Sequence, residues 1–222
     1  KLQLARGEIG SVDGVMGARR AERCLALFGI SKPNSGVRIV DGQTVTLRHK
    51  RDAIRHGIAC VSEDRQGEGL IMPQSIFDNL LVSIFDRLRG GLGLMDRQKA
   101  RQQASDLIRE LNIKVSDSQL PVQTLSGGNA QRVAIGKWVA TQPKVLILDS
   151  PTVGVDIANK EGIYRIARQL AESGMAVLMI CDEIPEAYYN SHRVLVMRKG
   201  ELVASFAPHQ CREEEIAGVV NE

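Results

Sequence analysis

The sequence predicts an α/β fold: a mostly parallel sheet covered by helices on both faces, with a helical insert and small β hairpins. Three observations carry this. Near the start, Glu8–Val12 reads as a strand that runs into a glycine loop, Asp13-Gly14-Val15-Met16-Gly17-Ala18-Arg19-Arg20-Ala21, followed by a helix over Ala21–Phe28. After Leu125, apolar β runs and helices alternate. Between about residues 63 and 125 the pattern is wholly helical, so that stretch reads as an insert in the α/β frame.

Each further element has a local reason. Gly36–Val40 and Gln43–Leu47 flank Asp41-Gly42, a pair that supplies the positive φ angles of a tight hairpin. A helix over Lys50–His56 is stopped by Gly57, and Ile58–Ser62 is a short buried strand. Glu63–Met72 reads as a polar loop; Ser75 with Asp78 then resembles a capping box, and Ile76, Leu80, Ile84 and Leu88 form the stripe of an amphipathic helix. Gly90-Gly91 is a loop before a second helix, Asp96–Leu111, with Ala100, Ala104, Leu107, Ile108 and Leu111 on one face. Beyond Leu125 come a helix to about Thr141, a β run Lys144–Asp149, a helix Ala158–Glu172 and a β run Met175–Cys181. Arg193–Met197 and Glu201–Phe206, joined by Lys199-Gly200, close the chain as a hairpin.

Composition narrows the function classes. With 222 residues, 43% of them hydrophobic, the chain can bury a core without staples. A net charge of +3, from 29 Lys+Arg against 26 Asp+Glu, is too balanced to drive nonspecific binding to nucleic acid or anionic membrane. Cys24, Cys60, Cys181 and Cys211 lack zinc-knuckle or thioredoxin spacing and read as reduced thiols. Apolar stretches such as Met175–Cys181 fall far short of a bilayer span. Lys1 is not an initiator methionine and the glycine loop arrives by Gly14, so the expectation is an excised domain of a longer chain. His49, His56, His192 and His209 show no ligand spacing, Trp138 reads as packing, and one Tyr188-Tyr189 pair without a basic groove is no base-stacking platform.

Two motifs carry chemistry. In Leu125-Ser126-Gly127-Gly128-Asn129-Ala130-Gln131, two glycines let backbone N–H groups approach a phosphate, the helix start adds a positive dipole end, and Ser126 adds a hydroxyl donor. Alone, the same residues read equally as a capped, flexible turn. The apolar run Val145–Leu148 then ends on Asp149, and a carboxylate at the end of a buried strand can hold Mg²⁺ through a water.

Together with Gly154-Val155-Asp156 and the loop at Gly14, these motifs resemble the ATP-binding-cassette (ABC) ATPases. More narrowly, Gly14–Ala18, Ser62-Glu63-Asp64-Arg65, Leu125–Gln131 and Pro143–Asp149 look like the second cassette of the tandem-cassette importers for ribose, galactose and related sugars. The resemblance covers nearly the whole chain. It implies a P-loop NTPase-like fold in one domain, residues 1–222, with a core over about 1–62 and 126–222 and an insert over about 63–125 that faces membrane subunits. It implies ATP and Mg²⁺ as ligands, with Gly14, Gly17, Ala18, Arg19, Arg20, Ala21, Glu63 and Asp149 on the nucleotide side and Asp149 as the metal position. It places Leu125, Ser126, Gly127, Gly128, Asn129 and Gln131 on the signature side, toward a second cassette, with Asp156 in the neighbouring D-loop. Implied partners are that second cassette, in the same parent chain or as a homodimer, transmembrane permease subunits and, indirectly, a periplasmic sugar-binding protein; no nucleic acid is implied. The implied location is the cytoplasmic face of the inner membrane.

The departures from the family pattern set a further expectation. A P-loop needs Gly-x-x-x-x-Gly-Lys-Ser/Thr. Here Arg19 stands at the second glycine, Arg20 at the lysine and Ala21 at the metal-binding hydroxyl. Ser150 replaces the glutamate that polarises the attacking water, Asp182 the switch histidine, and Glu63 the glutamine that links nucleotide to insert. The nucleotide site of this cassette therefore reads as degenerate and its signature motif as intact. The alternatives are a soluble ABC-type ATPase acting on ribosome or DNA, which would need basic arms or coiled coils, and a non-hydrolysing scaffold.

Overall fold

A computed structural model describes residues 2–14, 26, 28–29, 35–91 and 93–221. The positions Gly17, Ala18, Arg19, Arg20 and Ala21, Cys24, and nearly all of the expected Ala21–Phe28 helix lie outside them; Phe28 itself is buried in a turn. The chain divides into two compact units, Lys1–Cys60 with Pro143–Pro151 and Ala167–Glu222, and Val61–Gln142 with Thr152–Ile166.

The first unit is built on the six-stranded sheet. Its strands are β1 (Ile9–Asp13), β4 (Ile58–Val61), β5 (Val145–Asp149), β6 (Ala176–Ile180), β7 (Arg193–Arg198) and β8 (Glu201–Phe206), in the spatial order β4-β5-β6-β1-β7-β8. β5, β6, β1 and β7 run parallel, and β8 returns antiparallel to β7. Every residue of the inner strands β1 and β6 is buried, as expected of strands covered on both faces, and so is every residue of the edge strand β4, whereas β8 at the opposite edge alternates exposed with half-buried residues. Leu146, Ile147, Val177 and Leu178 are at most 1% exposed and mark the centre of the core.

Both hairpins form where the sequence puts them. Asp41 and Gly42 have φ of 50° and 77° between β2 (Arg38–Val40) and β3 (Gln43–Val45), and Lys199 and Gly200 have φ of 47° and 82° between β7 and β8. The Asp41 carboxylate accepts from Lys144 at 2.5 Å and Arg6 at 2.8 Å, which holds it below the usual carboxylate range. α1 (Lys50–Arg55) ends at Gly57, φ 78°. His192 is structural: its Nδ1 accepts the Ile9 N–H at 2.9 Å. Cys60, Cys181 and Cys211 are not disulfide-bonded, and burial pushes the Cys181 thiol up to about 12.

The second unit is helical. α2 (Ile76–Leu81) starts at Ser75, whose hydroxyl accepts the Asp78 N–H at 2.9 Å and lies 2.6 Å from the Asp78 carboxylate. The expected stripe Ile76, Leu80, Ile84 and Leu88 is wholly buried, but the α-helix stops at Leu81 and tightens into a 3-10 run, Val82–Leu88. The tighter winding places Leu81 and Ile84 on one side, as three residues per turn requires. α3 (Arg97–Glu110), capped by Asp96, buries Ala100, Ala104 and Leu107, with Leu111 following and Ile108 half-buried. α4 (Gly127–Val139) is buried almost all round. Its polar residues are therefore paired inside: Arg132 donates to the Leu111 carbonyl at 2.9 Å, and Lys137 to that of Gly69. Trp138, expected in the core, is half-buried beneath the Lys137 ammonium, 5.0 Å from its ring centroid. The second unit also takes in the first turns of α5 (Ile157–Glu172). α6 (Ile184–Asn190) and α7 (Glu213–Asn221) belong to the first.

Candidate functional site

In the first unit, carboxylates gather at the carboxyl ends of three neighbouring strands. Asp13 ends β1, Asp149 ends β5, and Asp182 follows β6 by two residues. Asp13 and Asp149 are 2% and 8% exposed, and Asp182 is exposed. Asp13 Oδ1 accepts the Gly14 N–H at 2.5 Å, pinning the start of the glycine loop. Ser150, directly after Asp149, has φ 41°, a left-handed conformation held by its N–H donating to the Ile180 carbonyl at 3.1 Å. Among the described residues no three His, Cys, Asp or Glu side chains converge on a metal position. Asp149, the expected metal position, is a buried carboxylate at the end of β5, and Ser150 beside it carries a hydroxyl in place of a carboxylate. The described part of this edge is thus acidic, while Arg19 and Arg20, which the resemblance sets on the nucleotide side, lie outside the described residues.

In the second unit, the signature residues form a compact turn. Ser126 is the exposed N-cap of α4, and its Oγ accepts from Asn129 Nδ2 at 3.1 Å, so the hydroxyl proton remains to be donated outward. Asn129 Oδ1 accepts the Lys114 N–H at 2.8 Å, which fixes the amide. Leu125 and Gly127 are half-buried. A Cβ on Gly127 would stand 2.8 Å from the Gly154 carbonyl oxygen, and one on Gly128 would stand 2.7 Å from Asn159 Cβ. Both glycines are therefore required by packing within the unit, whatever approaches from outside. Gly128 and Gln131 lie inside rather than on the outward face; Gln131 is 2% exposed, with Oε1 3.4 Å from Arg65 Nη1.

Asp156 opens α5. Its carboxylate accepts from the Asn159 side chain at 2.8 Å and the Asn159 N–H at 3.2 Å, and these bonds, the side-chain one foremost, hold it below the usual carboxylate range. Glu63 is exposed on the turn that follows β4. Sequence reasoning missed three contributors: Asp13, Asn159 and Arg65. A carboxylate directly before the glycine loop was a signal for Asp13, and an Asn three residues after Asp156 was one for a capped helix start. Arg65 stood in a quoted motif, but nothing local in sequence says where a long side chain lands.

The family model described as "ABC transporter" matches residues 1–153. The chain is 40% identical over 215 residues to the "Ribose import ATP-binding protein RbsA" of Yersinia pestis bv. Antiqua (strain Antiqua), covering 97% of this chain and 42% of that protein. It is 42% identical over 203 residues to the protein of the same description from Geobacillus kaustophilus (strain HTA426), covering 91% and 41%. The chain thus spans about two fifths of the length of these relatives. Among solved structures, it matches the dimeric structure of a bacterial ABC transporter cassette with TM-score 0.79 at 22% identity, covering 93% of this chain and 88% of that one. It also matches a nucleotide-free ATP-binding cassette from an ABC transporter with TM-score 0.81 at 19% identity, covering 100% and 87%. The fold agrees with theirs, a P-loop NTPase-type cassette, and with the family match over most of its length the chain belongs to the ABC transporter family of ATP-binding cassettes.

Proposed function

We propose that this chain is the second nucleotide-binding cassette of a bacterial ribose-type sugar importer, and that it serves mainly to complete the ATPase site of a partner cassette. The observation that carries this is the asymmetry between its two functional surfaces. The signature turn is intact and braced by Asn129, Asn159 and Arg65. The nucleotide edge has Ser150 for the glutamate, Asp182 for the switch histidine and Ala21 for the metal-binding hydroxyl. A serine has no useful basicity at neutral pH, and losing a general base costs about 10²- to 10⁴-fold in rate. The importer reading is supported by the similarity to ribose import proteins along nearly the whole chain. In that setting ATP and Mg²⁺ bind between this cassette and its partner, with Ser126 and the N-terminal amides of α4 directed at the partner's nucleotide. Permease subunits hold the pair at the cytoplasmic face of the membrane, and a periplasmic binding protein delivers the sugar. Among the described residues no helix is long and apolar enough to cross a membrane itself.

The test uses the full-length parent chain assembled with its membrane subunits. Ser126→Glu sets a carboxylate against the partner's nucleotide at an exposed position, and turnover should fall by about 10²-fold or more. Asp149→Asn in the same complex should keep turnover within about twofold. The opposite pattern, with Asp149 essential and Ser126 dispensable, overturns the reading.

A further inference from the structure

We propose that Arg65 is a positioning residue for the composite site: it locks the D-loop carbonyls of Val153 and Gly154 against the first turn of α4, so that Gly127 and Asp156 are presented as one rigid surface. This rests on the reading that the signature surface completes a partner's site.

Arg65 stands on a turn tied at both ends. Asp64 caps a single wide turn, Arg65–Gly69: its side chain accepts the Gly67 N–H at 2.8 Å, and its carbonyl accepts the N–H groups of Glu68 and Gly69, both at 3.0 Å. A Cβ on Gly67 would fall 2.3 Å from Asp64 Oδ2, so a larger residue there would displace the capping carboxylate. Its far end is fixed by buried Lys137 of α4, which donates to the Gly69 carbonyl. Arg65 therefore leaves from a backbone tied at both ends.

Its guanidinium then makes a fork. Nη1 donates to the Val153 carbonyl at 2.7 Å and Nη2 to that of Gly154 at 2.8 Å, with Gln131 Oε1 3.4 Å from Nη1. Among the described residues no carboxylate pairs with Arg65, so its donors are committed to neutral oxygens. Two adjacent carbonyls bound by two nitrogens of one planar group suit arginine; a lysine ammonium has one nitrogen and cannot span them in the same way. The fit is tight. Gly154 has φ 65°, and a Cβ there would meet Arg65 Nη2 at 2.9 Å; a Cβ on Gly127 would meet Gly154 O at 2.8 Å and Arg65 Nη2 at 3.3 Å. Positions 65, 127 and 154 touch, with no space for one more carbon. Releasing the guanidinium frees the D-loop backbone beside the residues that face the partner, and displacements of about 1 Å can cost a site about 10²-fold.

The experiment compares Arg65→Lys and Arg65→Ala in the full-length parent assembled with its membrane subunits, with Ser126→Glu run in parallel. In both Arg65 variants kcat should fall about ten- to a hundredfold with KM for MgATP nearly unchanged, because nucleotide is first captured by the partner's P-loop. Millimolar guanidinium should restore part of the kcat of Arg65→Ala, and methylammonium should not. Hydrogen exchange should speed up at residues 152–156 and 126–129 only. Arg65→Lys with wild-type kcat, while Ser126→Glu is inactive, overturns the role of Arg65 and spares the composite site. Ser126→Glu at wild-type turnover overturns the composite site itself. If neither Arg65 variant assembles, Arg65 is a folding residue, and if KM rises in step with the loss of kcat, it acts on nucleotide capture; either result overturns the proposal.

Discussion

The carboxyl edge of the sheet and the signature turn of α4 are held to different standards of fit. At the sheet edge Ser150 is left-handed at φ 41° and Asp182 is exposed, and the sequence resemblance sets Arg19, outside the described residues, at a glycine position of its motif. At the signature turn the reverse holds. Glycines 127, 128 and 154 each meet a neighbour within 2.9 Å of an added Cβ, and Asn129, Asn159 and Arg65 are each committed to hydrogen bonds. On the proposed function, the first surface lacks groups that do chemistry and the second keeps the residues that would meet a partner's nucleotide. If that proposal holds, the two functions of a cassette, holding its own nucleotide and completing another's site, are separated along one chain.

The largest effect that would sharpen this contrast concerns nucleotide affinity. Arg19→Gly, Arg20→Lys and Ala21→Ser together should tighten MgATP binding to the 222-residue chain by about a hundredfold, roughly 2.8 kcal/mol, measured by calorimetry. Ser150→Glu alone should bring no ATPase activity, since a base accelerates nothing until phosphate and metal are positioned. If the wild type binds as tightly as the triple variant, Arg19 and Arg20 form a working cradle and the two surfaces are less unequal than their residues suggest.

On the signature side, Gly128→Ala should lower the unfolding free energy by about 1–2 kcal/mol, read from urea denaturation. Overpacking a filled site costs about 1–3 kcal/mol, and the gain in helix propensity is about 1 kcal/mol at most. The obstacle is Asn159 Cβ at 2.7 Å, which cannot swing away as a side-chain tip could. A stabilised variant would mean that the turn gives way and is not the rigid surface described.

How much of this was legible beforehand divides along the same line. Strand order within the sheet is not in the sequence, but the strands were, because continuous apolar runs such as Leu146-Ile147-Leu148 have no other home. Both hairpins were legible from two residues each, since Asp41-Gly42 and Lys199-Gly200 supply the paired positive φ of a tight turn. The switch from α-helix to 3-10 at Leu81 was not, as a stripe at fourth positions fits a helix and the tightening is decided by tertiary packing. Likewise, motif spacing pointed to Gly127 and Asp156 separately. That Arg65, 62 residues before Gly127, holds the Val153 and Gly154 carbonyls between them is a tertiary fact with no local sign.

The smallest effect is the most direct probe of the comparison, because it sets two left-handed positions against each other. Ser150 at φ 41° is a β-carbon residue in a conformation that costs about 1–2 kcal/mol relative to the right-handed helix, and Gly154 at φ 65° is a glycine in a conformation it adopts freely. Ser150→Gly removes that strain but adds about 0.5–1 kcal/mol of chain entropy to the unfolded state, so the net gain in urea stability should be near 0.5 kcal/mol. Gly154→Ser should lose at least about 1 kcal/mol, because the same strain is introduced and the new Cβ meets the Arg65 guanidinium at 2.9 Å. Opposite signs at two positions four residues apart would show strain retained without a catalytic group on one surface and avoided by glycine on the other. If Ser150→Gly instead loses about 1 kcal/mol or more, the Ser150 side chain is holding something in place. The nucleotide edge would then be a maintained structure rather than the remnant of one.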